Sequence, residues 1–348
     1  MLESCARNTA KYADETMHKQ NIYRNLLVNE RYKFLICPIP KIGSSFLKTI
    51  FKILHLNLTK TDPTTLVGKG DIHSEPFPKL LDFDTTEQKK ILSTYTKVMF
   101  TRDPLSRIFS AYQDKLVSTN LIYWGSGKGI IKAYRHNPSS KSLSCGHDTR
   151  FEEFLDFLIH FSENHNSDKM DIHWKPVHLQ CDPCMIQYDI IGKLESFYDD
   201  MTETLRTIGA QDKIYLPKVD SLSLAIRKGM MTHEIKYSFS QLNELNKLGC
   251  ISEKEFPLRV VQDFVSHGYI GQLGEKERLE LSKIASGPTN ATYLTKWIFK
   301  QMEKSDSSYL RNLPKETEKA AYKNLAKDML LRLKVAYLHD FTLFGYDF

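Results

Sequence analysis

Long apolar runs are missing from the sequence, and their absence limits the classes of protein it can encode. No stretch reaches the ~18 consecutive apolar residues that a membrane-spanning helix needs. The amino-terminal residues lack the apolar core of a signal peptide. We also find no internal repeat and no low-complexity segment. Taken alone, these absences favour a cytosolic globular protein.

Cysteine is sparse, with six residues in the chain, and an even count permits disulfides without showing them. Cys181 and Cys184 form a CxxC pair shortly after His173 and His178, and zinc sites use the same residue types. Their spacing matches no common zinc finger, so we expect a local disulfide or two reduced thiols. The disulfide pairing stays open at this point for Cys5, Cys37, Cys145, Cys181, Cys184 and Cys250.

The residues that are present make up an ordinary soluble protein. The 348 residues are 41% hydrophobic and 26% charged, enough for one large or two ordinary domains. A net charge of +6 favours anionic partners such as nucleotides, polyanionic glycans, nucleic acid or an acidic membrane surface. Two N-glycosylation sequons, which begin at Asn57 and Asn290, argue against a cytosolic location.

The stretch 34–55 carries the first functional signal. An apolar strand leads into a loop and then a helix whose apolar positions recur at helical spacing. Backbone N–H groups at a helix start lack helical partners and the dipole is positive there, so the loop predicts phosphate binding. It is not a Walker A motif, because lysine precedes glycine here, and an ordinary turn remains the alternative. The donors of the loop are Lys41, Gly43, Ser44, Ser45 and Lys48.

A second candidate segment spans residues 97–115. Its first residues predict a short buried strand, and Asp103 followed by proline predicts a capped helix start. Arg102 at the strand end and Ser110 two turns into the helix can point at one anion above the carboxyl edge of a parallel sheet. A local salt bridge with a helix cap is the alternative for Arg102 and Asp103.

The rest of the chain predicts structural elements more than chemistry. His73 and Glu75 lie in a flexible loop between the two anion-binding segments. Residues 118–148 are polar and predict a substrate-facing loop or mobile lid, and Thr149 to Glu152 predicts a capping box that opens a helix. We further expect a lead-in at 1–30, a strand at 185–191, helices at 195–209 and 322–339, and amphipathic helical pieces within 211–308.

Together these segments resemble the Golgi carbohydrate sulfotransferases, in particular the branch of chondroitin and dermatan 4-O-sulfotransferases and the HNK-1 sulfotransferase. Residues 40–48 are similar to that family's loop for the 5′-phosphosulfate group, and 102–115 to its 3′-phosphate motif. A third block at 173–195 and the tail at 340–346 match in order and spacing. Four blocks in the same order make the resemblance specific.

Four departures from the family pattern accompany the resemblance. Ser44 stands where the family has cysteine, and Phe46-Leu47 stands where it has Asn-Trp, but hydroxyl donors remain for an anion. The family's amino-terminal membrane anchor is missing from the sequence, which favours a shortened form, a fragment or an unusual isoform. The stretch at about 211–308 exceeds the family pattern, so we expect an inserted helical subdomain there.

The resemblance implies an α/β, P-loop-like sulfotransferase fold with a central parallel sheet flanked by helices. The sulfotransferase domain is expected at 31–348, with the helical insertion inside it. The implied location is the Golgi lumen, with membrane contact only through the missing anchor. Neither the oligomeric state nor the acceptor sugar follows from the sequence.

The resemblance also implies the chemistry. The donor is 3′-phosphoadenosine 5′-phosphosulfate, the acceptor is a glycan hydroxyl, and neither a metal nor nucleic acid takes part. Lys41 is placed to neutralise charge on the leaving phosphate. The expected donor-binding residues are Lys41, Ile42, Gly43, Ser44, Ser45, Phe46, Lys48, Arg102, Arg107 and Ser110.

The acceptor hydroxyl needs a general base. By analogy with 2-O-sulfotransferases, whose base is a histidine between the two anion motifs, we expect His73, with Glu75 as the second choice. Lys193 and Arg135 are candidates for gripping an anionic glycan. Two alternatives stay open: a non-catalytic glycan- or nucleotide-binding protein on a degenerate sulfotransferase fold, and a nucleotide kinase with an unusual phosphate loop.

Overall fold

The computed structural model describes residue 5 and residues 15–66, 71–216, 219–286 and 290–347. The chain divides into two compact units, each formed from separate stretches of sequence. The first unit comprises Met1–Ile108, His165–Ile226 and Tyr337–Phe348, and the second comprises Phe109–Asn164 and Arg227–Ala336. In the described ranges, no helix is both long and apolar enough to cross a membrane.

A four-stranded sheet forms the centre of the first unit, in the order β1 (Leu27–Asn29), β2 (Phe34–Cys37), β3 (Thr96–Thr101) and β4 (Ile190–Lys193). Strand β1 runs antiparallel to β2 at one edge, whereas β2, β3 and β4 are parallel. The expected α/β class is therefore confirmed, and three of the four strands form the expected parallel arrangement. The paired residues Thr101 and Lys193 bring the carboxyl ends of β3 and β4 to one edge, where the loop after β2 also begins.

The helices of the first unit pack around this sheet. Helix Ser44–His55 buries most of its residues, and the apolar positions that predict it belong to the same core as the strands. Short 3₁₀ turns at Pro63–Thr65, Leu80–Asp82, Ser167–Lys169 and Leu194–Ser196 link the larger elements. The described helices of this unit are Glu15–Asn25, Ser44–His55, Thr85–Thr94, His178–Cys181, Pro183–Ile186, Phe197–Thr207 and Leu338–Phe344.

Among its described residues, the second unit contains helices and connecting segments but no strand, and it has a separate apolar core that includes Trp124, Phe256, Phe264 and Ile298. Helices Pro104–Tyr112 and Val219–Lys247 each contain a boundary between the units, and a π-helical segment, Gln113–Val117, follows the first of them. The remaining helices are Leu121–Tyr134, Ser140–Cys145, Phe151–Glu163, Glu255–Ser266, Glu275–Ser286, Ala291–Lys304, Ser307–Lys323 and Lys327–Ala336.

Three disulfides use all six cysteines. Cys5 pairs with Cys184 and Cys37 with Cys181 in the first unit, and Cys145 pairs with Cys250 in the second. The expected local disulfide or free thiols at the CxxC motif are wrong, because its two cysteines bond to distant partners. Both sulfur atoms are thereby unavailable as thiolate ligands for zinc.

The predicted loop or lid at 118–148 is wrong, because this stretch forms helices Leu121–Tyr134 and Ser140–Cys145. The buried side chain of Trp124 anchors the first of these helices in the core. Gly127 lets the chain approach closely, since a Cβ there would lie 2.3 Å from the carbonyl oxygen of Gly146. Gly127 thus marks a close packing contact within a helix rather than an irregular loop.

The strand expected at 185–191 begins later, at Ile190, because a short helix, Pro183–Ile186, occupies its first residues. The Asp182 carboxylate caps this helix by accepting from the N–H groups of Cys184 and Met185 at 3.2 and 3.0 Å. Gln187 then turns the chain with a positive φ of 55°. A local cap therefore outweighs the apolar pattern.

Three other predictions need adjustment or remain predictions. Helix Phe151–Glu163 is capped by Glu153, which accepts from the N–H of Arg150 at 2.9 Å, so Glu152 is not the capping residue. The helix expected at 322–339 is interrupted after Lys323 and after Ala336. The lead-in at 1–30 contains a helix and strand β1, and the helical insertion at about 211–308 remains a prediction.

Candidate functional site

The loop after β2 turns sharply into the helix Ser44–His55. Lys41 and Gly43 adopt positive φ angles of 70° and 79°, and Leu47 N–H closes the first helical turn on the Gly43 carbonyl at 3.0 Å. Among the described residues, no side chain caps this helix start. The first backbone N–H groups of the helix therefore face outward with the positive end of the dipole behind them. This geometry suits an anion such as a phosphate or sulfate group.

The predicted loop residues fall into two groups by exposure. Gly43 and Ser45 are exposed and Lys41 and Lys48 are half-buried, so their polar groups can reach a ligand. The side chains of Ile42 and Phe46 are buried in the core, at 0% and 5% exposure. Those two residues can offer a ligand only their backbone N–H groups. Ser44 is itself almost fully buried.

Two arginines hold the backbone of this loop in place. The Nη1 of Arg102 donates to the Lys41 carbonyl at 3.2 Å, and the Nε of Arg107 donates to the Pro40 carbonyl at 3.1 Å. Arg107 also donates to the carbonyls of Ile172 and Lys175, at 2.9 and 2.8 Å. The loop after β2 is thereby tied to the residue after β3 and to a segment far along the chain.

Arg107, predicted to contact the donor, lies beneath the loop rather than at its surface. It is 1% exposed, and burial lowers the pKa of its guanidinium while Asp340 and Tyr337 oppose the shift. Its donors point at three carbonyls, which an apolar side chain could not satisfy. The geometry assigns Arg107 to the shape of the loop. An arginine spaced five residues after another arginine gave no sequence signal for this role.

His73 reaches the loop from a separate segment. Its Nε2 lies 3.0 Å from the Ser45 hydroxyl, and its Nδ1 lies 3.3 Å from the Lys48 ammonium. Asp71 orients the backbone of His73 by accepting from its N–H at 2.9 Å. Burial and the charge of Lys79 lower the pKa of Lys48, and Asp71 opposes that shift. The expected general base and the expected phosphate loop are therefore neighbours.

Glu75, the second choice of base, lies two residues further on. Its carboxylate forms an ion pair with Lys52 on the helix Ser44–His55. The Glu75 carboxylate is therefore already engaged by a side chain of the helix Ser44–His55. The sequence analysis did not single out Lys52, although its position one helical turn after Lys48 places both side chains on the same face of the helix.

The ends of β3 and β4 carry a second polar cluster. Asp103 caps the helix Pro104–Tyr112 by accepting from the Ser106 N–H at 2.8 Å, and it donates its own N–H to Glu195 at 3.0 Å. The Tyr346 hydroxyl donates to the other carboxylate oxygen of Glu195 at 3.1 Å. The predicted cap at Asp103 is confirmed. The carboxy-terminal Tyr346 thus closes the sheet edge beside the segment that carries Arg102.

Lys193, a candidate glycan contact, belongs to the same edge. Its ammonium donates to the Gly345 carbonyl at 3.1 Å and lies 4.4 Å from the ring centroid of Tyr346. These contacts fix the side chain against the carboxy-terminal residues. The role of Lys193 toward a glycan stays a prediction.

Ser110 and Arg135 lie in the second unit. Ser110 is half-buried on the helix Pro104–Tyr112, as expected. The guanidinium of Arg135 bonds to Glu153 at 2.6 Å and to Asp148 at 2.7 Å, and only 7% of its side chain is exposed. These two carboxylates raise the pKa of Arg135 further. Arg135 therefore stabilises the start of the helix Phe151–Glu163 rather than presenting a free charge to a glycan.

Within the part of the chain that the structure describes, no cluster of three or more histidine, cysteine or carboxylate side chains could hold a metal ion. A sequence model of the family described as "Sulfotransferase family" matches residues 24–247. This range contains both anion-binding segments and the third motif block. No solved structure gives a significant match to the chain.

Several known proteins are similar to this chain. Carbohydrate sulfotransferase 8 of Mus musculus is 34% identical over 251 residues, 71% of this chain and 58% of the mouse protein. Carbohydrate sulfotransferase 9 of Homo sapiens is 34% identical over 211 residues, 60% of this chain and 46% of the human protein. Carbohydrate sulfotransferase 14 of Danio rerio is 30% identical over 202 residues, 58% and 53% of the two chains.

The chain spans about half the length of the curated relatives that it matches. The similarity to carbohydrate sulfotransferases that the motif blocks predict is confirmed by these matches. Because the family model covers well over half of the residues, the chain belongs to the sulfotransferase family.

Proposed function

We propose that the protein transfers a sulfuryl group from 3′-phosphoadenosine 5′-phosphosulfate to a hydroxyl of a glycan. The acceptor oxygen forms a bond to sulfur while the bond between sulfur and the 5′-phosphate oxygen breaks. The hydroxyl proton passes to a base on the protein, and adenosine 3′,5′-bisphosphate leaves. Such a transfer needs in-line geometry and stabilisation of the charge that moves onto the leaving phosphate.

The anion-binding loop supports the donor half of this proposal. The N–H groups at the start of the helix Ser44–His55 and the hydroxyl of Ser45 are suited to hold the 5′-phosphosulfate. We assign Lys41 to the charge that develops on the leaving phosphate. A guanidinium carries five N–H donors, so Arg102 can serve the 3′-phosphate as well as the loop, with Ser110 as the second contact.

The single observation that carries the proposal is the approach of His73 to Ser45. A histidine from a distant loop lies 3.0 Å from a hydroxyl of the predicted donor loop. Group transfer to an unactivated hydroxyl requires a base within hydrogen-bond reach of the reacting proton. We therefore assign His73 as the general base and keep Glu75 as the alternative.

We place the protein in the Golgi lumen. The three disulfides support an oxidising compartment, because cytosolic proteins rarely keep structural disulfides. Both sequon asparagines, Asn57 and Asn290, are exposed and thus accessible to glycans. Expression in cultured cells, followed by fractionation and digestion with an N-glycosidase, tests the location. A protein found in the cytosolic fraction, with no change in mass after digestion, would contradict the Golgi location.

The decisive experiment is sulfate transfer from radiolabelled donor to desulfated chondroitin, dermatan, heparosan and a glucuronyl-terminated oligosaccharide. We expect transfer to one acceptor, with a loss on the order of 10³-fold in Lys41→Ala, because an electrostatic contact to the leaving group is removed. Lys33→Ala is the matched control. Lys33 also has a positive φ, at 48°, but lies outside the loop, so its replacement tests the backbone effect alone.

Two outcomes would redirect the proposal. Tight binding of adenosine 3′,5′-bisphosphate without transfer to any acceptor would favour a non-catalytic glycan- or nucleotide-binding protein. Mg²⁺-dependent turnover of ATP would favour a kinase. Equal losses in Lys41→Ala and Lys33→Ala would remove Lys41 from the chemistry.

A further inference from the structure

Three polar side chains meet at the start of the helix Ser44–His55. The His73 imidazole lies between the Ser45 hydroxyl, 3.0 Å from Nε2, and the Lys48 ammonium, 3.3 Å from Nδ1. Both ring nitrogens of the proposed base thus have a partner from the same helix. Which of them carries the proton decides which one can accept a proton from a substrate.

The identities of the partners indicate which ring nitrogen carries the proton. An ammonium group has three donors and no acceptor, so Nδ1 must offer its lone pair to Lys48. A neutral imidazole carries one N–H, which then lies on Nε2. The Nε2–H group in turn donates to the Ser45 oxygen. The hydroxyl hydrogen of Ser45 is then available to donate to an anion bound at the helix start.

We propose that Lys48 is a positioning residue that fixes His73 in the Nε2–H tautomer, so that Nδ1 is the nitrogen that receives the acceptor's proton. This inference rests on the proposed transfer reaction for the use that is made of Nδ1. An acceptor hydroxyl is also a hydrogen-bond donor, so it can take the place of the ammonium at Nδ1. The oxygen then attacks sulfur, its proton passes to Nδ1, and the bisphosphate leaves with the electrons of the broken S–O bond.

The surroundings of Lys48 favour this exchange. Its side chain is half-buried, and both burial and the charge of Lys79 disfavour the ammonium form, with Asp71 opposing them. An ammonium group that has lost much of its hydration is drawn strongly to an added negative charge. The donor's phosphosulfate supplies that charge beside the same helix turn. Donor binding therefore draws Lys48 away from Nδ1 and clears the nitrogen for the acceptor.

The tautomer can be measured directly in the full chain. We would label histidine with ¹⁵N and record long-range ¹H–¹⁵N spectra above the ordinary imidazole pKa of about 6.5. The His73 signal is assigned by its loss in His73→Gln. We expect Nε2 to be protonated and Nδ1 unprotonated in the wild type. A proton on Nδ1 in the wild type overturns the proposal.

Substitutions of Lys48 test its part in this arrangement. Lys48→Met removes the donor but keeps the length of the side chain, and we expect the two tautomers of His73 to become mixed. Lys48→Arg keeps a donor and should restore the Nε2–H form. Lys52→Met, one turn along the same helix, is the matched control and should leave the tautomer unchanged. An unchanged tautomer in Lys48→Met overturns the proposal.

A second measurement needs no substitution. As the pH rises through the pKa of Lys48, which burial and Lys79 lower, the ammonium becomes an amine that can accept a proton. The preference for Nε2–H should then fade in the wild type. Lys79 and Asp71 face Lys48 and set where this happens. A tautomer that stays constant while the Lys48 side chain titrates overturns the proposal.

Kinetics separate this inference from the proposed function. If the wild type transfers sulfate, Lys48→Met should lower kcat about 10-fold or more, with Lys48→Arg recovering most of the loss. Absence of transfer in the wild type would defeat the proposed function, whereas the tautomer spectra would still support or overturn the role of Lys48. The spectra thus test the role of Lys48, and the transfer assay tests the proposed function, so failure of one can be told from failure of the other.

Discussion

The two units of this molecule differ in how their structure is encoded. In the first unit, the site follows the sheet edge: its loop and arginine segments directly follow strands, and His73 joins them from a separate loop. In the second unit, helices from distant stretches of sequence assemble around Trp124 and Phe256, with one disulfide between them. Chemistry in the first unit is therefore visible as short motifs, whereas the architecture of the second depends on contacts that no motif announces.

Arg107 in the first unit and Arg135 in the second give the sharpest test of this comparison. Arg107→Met in the first unit and Arg135→Met in the second should each cost about 3–5 kcal/mol of unfolding free energy. In the first case three carbonyls lose their donor, and in the second the carboxylate of Glu153 loses its charged partner. Thermal unfolding measures both losses.

Donor binding should separate the two variants. Because Arg107 holds the loop after β2, Arg107→Met should lose the shift in melting temperature that adenosine 3′,5′-bisphosphate produces. Arg135→Met should keep that shift. Equal loss of the shift in both variants would contradict the assignment of donor binding to the first unit.

The disulfides provide a second pair of matched changes. Cys37→Ser with Cys181→Ser removes the link beside the loop, and Cys145→Ser with Cys250→Ser removes the link in the helical unit. We expect a similar loss of about 3 kcal/mol in each, because both close loops of more than 100 residues. The first change alone should also weaken bisphosphate binding, as measured by calorimetry. Unimpaired bisphosphate binding would show that the loop keeps its shape without this disulfide.

His73→Ala changes the reaction without changing the fold. Turnover should fall about 10²-fold, since the proton loses its acceptor, while the affinity for adenosine 3′,5′-bisphosphate should stay within twofold. His165→Ala, at an exposed turn of the same unit, is the control. Near-normal turnover in His73→Ala would direct attention to Glu75.

The smallest expected effect lies in the second unit and depends on pH. Burial and the charges of Asp263 and Asp114 raise the pKa of Glu234 to about 8, against His267 and Lys115, which oppose the shift. The folded state then keeps a proton that the unfolded chain releases above its ordinary pKa of about 4.5. Stability should fall as the pH rises toward 8 and stay level above it.

Glu234→Gln removes this titration, because glutamine binds no proton. The fall in stability of about 1–2 kcal/mol between pH 6 and 8 should become smaller in the variant. The remaining slope belongs to His267, whose pKa the nearby Asp263 carboxylate raises to about 8 against the effect of burial, and which acts in the same direction. Thermal unfolding at a series of pH values checks this. An unchanged dependence of stability on pH in Glu234→Gln would show that Glu234 is not its source.

Sequence patterns predicted the first unit well because its signals are local. The period of apolar residues located the helix Ser44–His55, and Asp103 marked the next helix start. The same reasoning misplaced the start of β4, since the cap at Asp182 acts within a few residues against an apolar run. Roles such as that of Arg107 depend on carbonyls that are more than 60 residues away, and no local pattern contains them.

In the second unit, the glycine-bearing stretch 125–129 was misread as a loop because the contact that explains Gly127 lies outside its own helix. Gly127 is small so that the chain near Gly146 can approach, and the sequence shows the glycine but not the neighbour. Arg135 likewise looks like a surface charge until Glu153 and Asp148 are placed beside it. Patterns in a single sequence do not show which distant residues pack together or form ion pairs.

We expect the bond between Cys37 and Cys181 to make nucleotide binding depend on oxidation of the newly made chain. Cys37 is the last residue of β2, just ahead of the loop that we assign to the donor. A newly made chain with reduced thiols would lack this tether, and we expect it to bind the nucleotide weakly. Competence for catalysis would then begin only once oxidation is complete, so that immature chains consume no donor. Trapping the reduced chain with a thiol-blocking reagent and finding full nucleotide affinity would show that the timing is set elsewhere.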